Sequence, residues 1–336
     1  MQEIITMDHG SGGIRTAELI DTVFRPAFDN PALNSLGDGA VLKMPAGAQL
    51  AMSTDSFVVQ PLEFPGGNIG SLSVCGTVND LAMCGAKPLW LTFSAVLEEG
   101  LPIETLKRVV ESAAREARAV GVQIVTGDTK VVERGHGDGL YLNTAGVGVV
   151  ECPGLGPDAI QPGDVILVTG PVGCHGTAVM LARSGLGLES SLQSDCMPLY
   201  DLAKAAWSAV PGGVHCLRDA TRGGVATTLN EFTEGRSFGI QLRQRDIPVL
   251  PAVEAACELL GLDPLYCANE GRMLCVAAPQ AAAAVLEALR HTPGGEQSAI
   301  IGQVTEAFAG KVVLQNDLGA NRILSKLTGA QLPRIC

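Results

Sequence analysis

The clearest periodicity in the chain is helical. In "ETLKRVVESAAREARAV", Leu106, Val109, Val110, Ala113, Ala114, Ala117 and Val120 recur at i, i+3, i+4 and i+7, which makes one apolar stripe. Glu104 with Arg108 and Glu111 with Arg115 stand four apart on the outer face, where ion pairs support a helix. The runs around it read as strands: "AVLKM", "QLAMSTDSFVV" and "PLWLTFSAVL" before, "VQIVTGD" and "YLNTAGVGVV" after. A helix with one apolar stripe among such runs covers one face of a sheet. Residues 1–35 read as an irregular arm followed by a short helix.

The Pro/Gly-rich stretch "ECPGLGPDAIQPGD" (151–164) breaks this pattern and marks the domain boundary. Beyond it "VILVTG", "HCLRDA", "FGIQL", "MLCVAA" and "SAIIGQV" read as strands, with "KVVL" as a last one. Helices fall around 176–184, 198–209, 223–234, 251–261 and 279–290. The expectation is two α/β domains, 1–155 and 156–314. Residues 315–336 show no period and read as a mobile tail whose extended tip reaches well beyond its anchor.

Composition agrees with this and narrows the function. A chain of 336 residues exceeds what one core usually supports, and 46% apolar residues with a mean hydropathy of +0.26 describe a well-buried protein. Aromatics are 4%, so the core must be aliphatic, and 41 glycines favour tight turns. A net charge of −12 argues against a nucleic-acid partner. The first residues have no basic or apolar leader region, and no apolar run reaches membrane length, so a soluble cytoplasmic protein is expected. Ten cysteines should then be reduced; no C-x-x-C pair occurs, and the five histidines do not stand at zinc-ligand spacing.

The informative charges are single aspartates set in apolar or glycine-rich surroundings: Asp38, Asp55, Asp80, Asp128 and Asp219. A buried carboxylate without a partner is costly, and there are too few nearby Lys or Arg to pair each one. Gathering around a divalent cation resolves this, and oxygen ligands suit Mg²⁺ bridging nucleotide phosphates. Taken singly, an aspartate at a strand end also serves as a cap or an Asx turn. Asp80, mid-helix among Val78, Leu81 and Met83, resists that reading. Two glycine-rich stretches, "HGSGG" (9–13) and "GPVGCHG" (170–176), could cradle an anion, the second because it follows a strand and opens a helix. Neither is a P-loop or a Rossmann fingerprint. His175 beside Cys174 suggests a thiol–imidazole pair, although sequence neighbours seldom face each other.

Together "HGSGG", "STDS", "VCGTVNDLAMCGA", "TGDTKVV", "LRDATRGG", "ANEG" and the terminal "PRIC" closely resemble the HypE family of hydrogenase-maturation proteins. The resemblance spans essentially the whole chain. HypE belongs to the superfamily of aminoimidazole ribonucleotide synthetase, selenophosphate synthetase and thiamine-monophosphate kinase. The resemblance implies a homodimer whose N-terminal domains meet in a β-barrel-like interface, and an ATP-dependent carbamoyl dehydratase. The carbamoyltransferase HypF would load Cys336, the thiocarbamate would be dehydrated to a thiocyanate, and cyanide would pass to the iron centre assembled on HypC–HypD for a [NiFe]-hydrogenase. It also implies Mg²⁺ at Asp38, Asp80, Asp128 and Asp219. ATP would lie at Asp55, Gly127 and Asp128 under the arm of Gly10, Ser11, Gly12 and Gly13. Lys130 would meet the charge developing on oxygen and Glu270 would remove protons.

Other readings are weaker. A selenophosphate synthetase would want a reactive Cys near its glycine-rich arm, whereas the first cysteine here is Cys75. A thiamine-monophosphate kinase has no use for a terminal thiol and typically carries an aspartate where this chain has Arg222. A non-catalytic ATP-binding scaffold would use the tail only to bind partners. At Cys336 the neighbouring α-carboxylate should raise the thiol pKa, an effect Arg334 could offset.

Overall fold

The computed structural model describes residues 3–35, 39–184, 190–327, 329 and 334–336. Helix α1 (Ile14–Leu19) continues through a π turn into α2 (Arg25–Phe28). The first sheet has the order β1 (Leu50–Phe57), β6 (Leu140–Val150), β4 (Ala86–Glu98), β5 (Gln123–Val132), and β2 (Glu63–Phe64) with β3 (Gly67–Asn68) forms a separate hairpin. Helices α3 (Ile69–Met83) and α4 (Ile103–Val120) cover one face of this sheet.

The second sheet has seven strands, in the order β13 (Asn321–Leu324), β12 (Val312–Gln315), β9 (Gly239–Arg243), β11 (Ala299–Thr305), β7 (Val165–Val168), β10 (Met273–Ala277), β8 (Val214–Asp219). Around it lie α5 (Cys174–Ser184), α6 (Tyr200–Ala209), α7 (Gly224–Thr233), α8 (Pro251–Leu260) and α9 (Ala282–Arg290). Each domain has its own apolar core, and the end of α3 enters a third cluster shared with α6, α9 and β10. That explains why α3 has no polar face. It is enclosed by the first sheet and α4 on one side and by β8 and α6 of the second domain on the other.

Helix α4 buries the stripe expected of it and stops at Gly121, whose φ of 77° only glycine adopts without strain. Its expected ion pairs do not form. Arg108 reaches across to Glu63 at 2.6 Å, and Arg115 pairs with Glu116 at 3.2 Å. "AVLKM" is not a strand: Val41 stands fully in solvent, and no strand among the described residues pairs with the segment. Within the expected tail of residues 315–336, residues 315–324 form a hairpin with β12. Asn316 Oδ1 accepts from the Leu318 and Ala320 amides, Gly319 takes a φ of 80°, and this turn pairs β13 with β12.

Candidate active site

The faces of the first sheet decide which aspartates can meet. Along β1, Ala51, Ser53, Asp55 and Phe57 point towards α3, while Leu50, Met52, Thr54 and Ser56 point the other way. Asp55 lies opposite Thr144, which is buried and bonded to Thr77 of α3. Gly76 allows this approach, since a Cβ there would meet the Phe57 ring at 3.0 Å and Asp55 Oδ2 at 3.5 Å. One turn further along α3, Asp80 Oδ2 accepts from Ser53 Oγ at 2.5 Å. Asp219 ends β8, just before the turn through Gly223 and Gly224 that opens α7.

These three carboxylates crowd one another. Burial, then Asp80, lifts Asp55 to about 6; burial, then Asp80, lifts Asp219 to about 7; burial also raises Asp80. Arg222 opposes the rise at Asp55 and Asp80, and Arg218 at Asp80 and Asp219. Among the described residues no three acidic, His or Cys side chains form a finished metal shell. Asp38 lies outside the described residues.

Glu270 is 3% exposed, on the loop before β10, and its amide donates to Asp195 Oδ1 at 3.2 Å. Its Oε1 has no hydrogen-bond partner among the described residues. Burial first, then Cys196, Asp219, Asp195 and Asp55, push its carboxyl well above the usual range. A buried acceptor left open in this way fits a proton donor brought by a ligand.

The chain's own last residue enters this place. The Cys336 thiol lies close enough to Glu270, Arg222, Asp55 and Asp219 to feel all four. Burial above all, then Glu270, holds it far above the ordinary thiol range, with Arg222 opposing. Arg334 does not play that part, because it pairs with Asp138 at 2.7 Å. The tail is held through its backbone. The amides of Val58 and Gln60 donate to the Cys336 carboxylate and the Arg334 carbonyl at 3.2 and 3.3 Å, and Arg183 donates to Arg334 O at 2.7 Å. His175 Nε2 meets Ile335 O at 2.8 Å, and the Ile335 side chain is buried in the first core. Cys174 and His175 therefore form no dyad: the Cys174 thiol turns to Pro171 O. Sequence reasoning missed His175 and Arg183 in this role, and the signal was the buried strand-to-helix turn "GPVGCHG".

Asp128 and Lys130 lie elsewhere. Asp55 and Asp128 stand at nearly the same level across the four strands, three spacings or about 14 Å apart. Asp128 lies opposite Ser94, which lies opposite Asn143, and Asn143 bonds Thr54 and Ser56 on the face away from α3. Lys130 Nζ pairs with Asp128 at 2.8 Å, both are exposed, and the lysine holds the Asp128 carboxyl below its ordinary value. Within one chain Asp128 therefore cannot share an ion with Asp80. The "HGSGG" arm packs beside this same edge, with Gly10 against Val131 of β5. Gly127 and Asp128 also line a cavity of about 270 Å³ with Thr16, Phe24, Phe28 and Phe93.

Residues 36–150 match the N-terminal domain of AIR synthase related proteins, and residues 161–315 match the C-terminal domain. The carbamoyl dehydratase HypE of Cupriavidus necator is 51% identical, over 99% of this chain and 95% of its own length. The chain belongs to the HypE family. The HypE of Escherichia coli is 47% identical over 99% of both chains. Among solved structures, a HypE in complex with ATP superposes with a TM-score of 0.93 at 45% identity, covering 98% of this chain and 99% of that one. A HypE–HypF complex gives 0.80 at 41%, covering 92% and 99%. Thiamine monophosphate kinase from Aquifex aeolicus, at 18% identity and a TM-score of 0.63 over 84% of this chain and 91% of its own, shares the fold of this chain.

Proposed function

We propose that this chain is an ATP-dependent carbamoyl dehydratase that converts a thiocarbamate on its own Cys336 into a thiocyanate. The observation that carries the proposal is the terminal thiol lying inside a pocket of buried carboxylates. A thiol meant as a nucleophile is poorly placed there, because every acidic neighbour suppresses the thiolate. A neutral thiocarbamate is well placed there.

An amide oxygen leaves badly, so it must first become a phosphate. The carbonyl oxygen attacks the terminal phosphorus of ATP, forming an O–P bond as the bond to ADP breaks. The C–O bond then breaks, phosphate departs with that oxygen, and nitrogen gives up two protons, one to Glu270 and one to the leaving phosphate, as C≡N forms. Asp55, Asp80 and Asp219 would hold Mg²⁺, a charge that fits a place where burial lifts all three carboxyls and the charge of Asp80 lifts Asp55 and Asp219 further. The ion supplies charge neutralisation on the phosphates when bound. Glu270, with its open Oε1, takes a proton from nitrogen. It is held protonated in part by Asp55 and Asp219, and screening of their charge moves it towards the working range of a base.

The face of the first sheet opposite α3 carries Met52 and Leu50, exposed at 74% and 54%. We assign this face to a homodimer contact in which a second copy brings Asp128, Lys130 and the "HGSGG" arm to the ATP. Lys130 would then stabilise charge on the oxygen from across the interface. The carbamoyl donor would be HypF, which the solved HypE–HypF complex of a relative supports, and cyanide would go on to HypC–HypD in the cytoplasm. No described helix is long and apolar enough to cross a membrane. The test is Glu270→Gln in the full chain, loaded by HypF with carbamoyl phosphate and then given MgATP. The variant should bind ATP and keep its carbamoyl mass while the wild type loses one water; equal dehydration by both would remove Glu270 from the mechanism.

A further inference from the structure

The group that sets how far the tail enters the pocket is a histidine that never touches the thiol. We propose that His175 is the positioning residue for the docked tail, its Nε2–H taking the carbonyl of Ile335 so that Cys336 stops among Glu270, Asp55 and Asp219. The inference rests on the tail being the carrier of the substrate, as proposed above.

The hydrogen-bond directions around His175 are fixed by elimination. The Ile335 carbonyl can only accept, so the proton must sit on Nε2. Nδ1 is then an acceptor and takes the Ser194 hydroxyl at 2.8 Å. The same Ser194 oxygen accepts from the Cys196 amide at 3.0 Å, which leaves its own proton free for the ring. The loop of residues 194–196 thus selects the tautomer that can hold the tail. The ring is 0% exposed and stands edge-on to Phe64 at 5.3 Å and 87°. Burial also lowers its pKa, in keeping with a neutral ring.

The tail offers its backbone acceptors to two sides, turning at Arg334, whose φ is 54°. The Arg334 carbonyl and the Cys336 carboxylate meet the amides of Gln60 and Val58, with Arg183 adding a second donor to Arg334. The Ile335 carbonyl points the other way, into the protein, and His175 meets it there. All four hydrogen bonds read backbone, so the Cys336 side chain and anything it carries remain free for the chemistry. When the tail withdraws to be loaded, the Nε2–H loses this acceptor, which favours return.

The experiment measures alkylation of Cys336 by iodoacetamide in the full-length chain, read by mass spectrometry on the C-terminal peptide, with exposed Cys84 as internal reference. His175→Ala removes the donor and should raise the Cys336 rate about tenfold, the scale of one lost buried hydrogen bond. His175→Gln puts an amide N–H near the place of Nε2 and should restore slow alkylation. A wild-type rate in His175→Ala, or equal rises in both variants, would overturn the proposal. If His175→Ala does not fold, the imidazole Nε2 proton of the wild type is followed by NMR. It should exchange slowly in the full chain and rapidly once Ile335 and Cys336 are removed; no change would refute the contact. None of these readouts needs nitrile formation, so a failed dehydratase assay leaves the result on His175 standing by itself.

Discussion

The carboxylate cluster should make the protein less stable than it could be, and Asp219→Asn exposes this. Asp219 titrates near 3.8 when free and at about 7 in the folded chain. Between those values the folded state keeps a proton that the unfolded state gives up, so stability falls as pH rises through the window and levels off above it. At face value the shift of about three units is worth roughly 4 kcal/mol. Burial is the first cause of that shift, with repulsion from Asp80 and then Asp55 added to it, and a buried Asn amide keeps part of the desolvation cost, so the substitution recovers about half, or roughly 2 kcal/mol. For domains of this size that is a rise of about 4–8 °C in melting temperature. The assay is thermal unfolding of wild type and variant near pH 5 and about pH 8, without divalent cation. Near pH 5, little more than a third of the way through the window, the variant's advantage should be small; at about pH 8 it should be complete and the variant should melt clearly higher. MgATP should then stabilise the wild type more than the variant. A variant that melts with or below the wild type at about pH 8 would refute the reasoning.

Two further predictions concern the second copy. Met52→Asp, on the uncovered sheet face, should convert a dimer to folded monomers in sedimentation velocity; a monomeric wild type or a dimeric variant would contradict the assigned contact. Lys130→Ala should change stability by less than about 0.5 kcal/mol, since its partner Asp128 is exposed. Mixed with a chain lacking Cys336, it should regain part of the nitrile formation that each lacks alone, because a mixed dimer pairs an intact Lys130 with an intact Cys336 from the other copy. No recovery on mixing would place Lys130 in its own subunit's site.

Much of the fold could be read from periodicity because most elements have one wet face, as α4 does. Where that condition fails, the pattern fails too. Helix α3 is buried all round and carries small and polar residues, so only the single charge of Asp80 marked it as unusual. The hairpin of β12 and β13 depends on one Asn–Gly turn rather than on hydrophobic alternation, and "AVLKM" alternates without a partner strand among the described residues. For the site, isolated aspartates were sufficient to find Asp55, Asp80 and Asp219. They could not separate these from Asp128, because sequence spacing does not reveal which face of a sheet a residue occupies across three strand pairings. His175 escaped for a related reason: its partners, Ser194 and Ile335, are 19 and 160 positions away.

The account depends on the oxygen of the thiocarbamate leaving as phosphate while its carbon stays on Cys336. A chain loaded with a heavy-oxygen carbamoyl group and given MgATP for a single turnover tests this directly. The label should appear in inorganic phosphate in step with nitrile on the C-terminal peptide. Label recovered in water, or retained on the protein beside hydrolysed ATP, would contradict it.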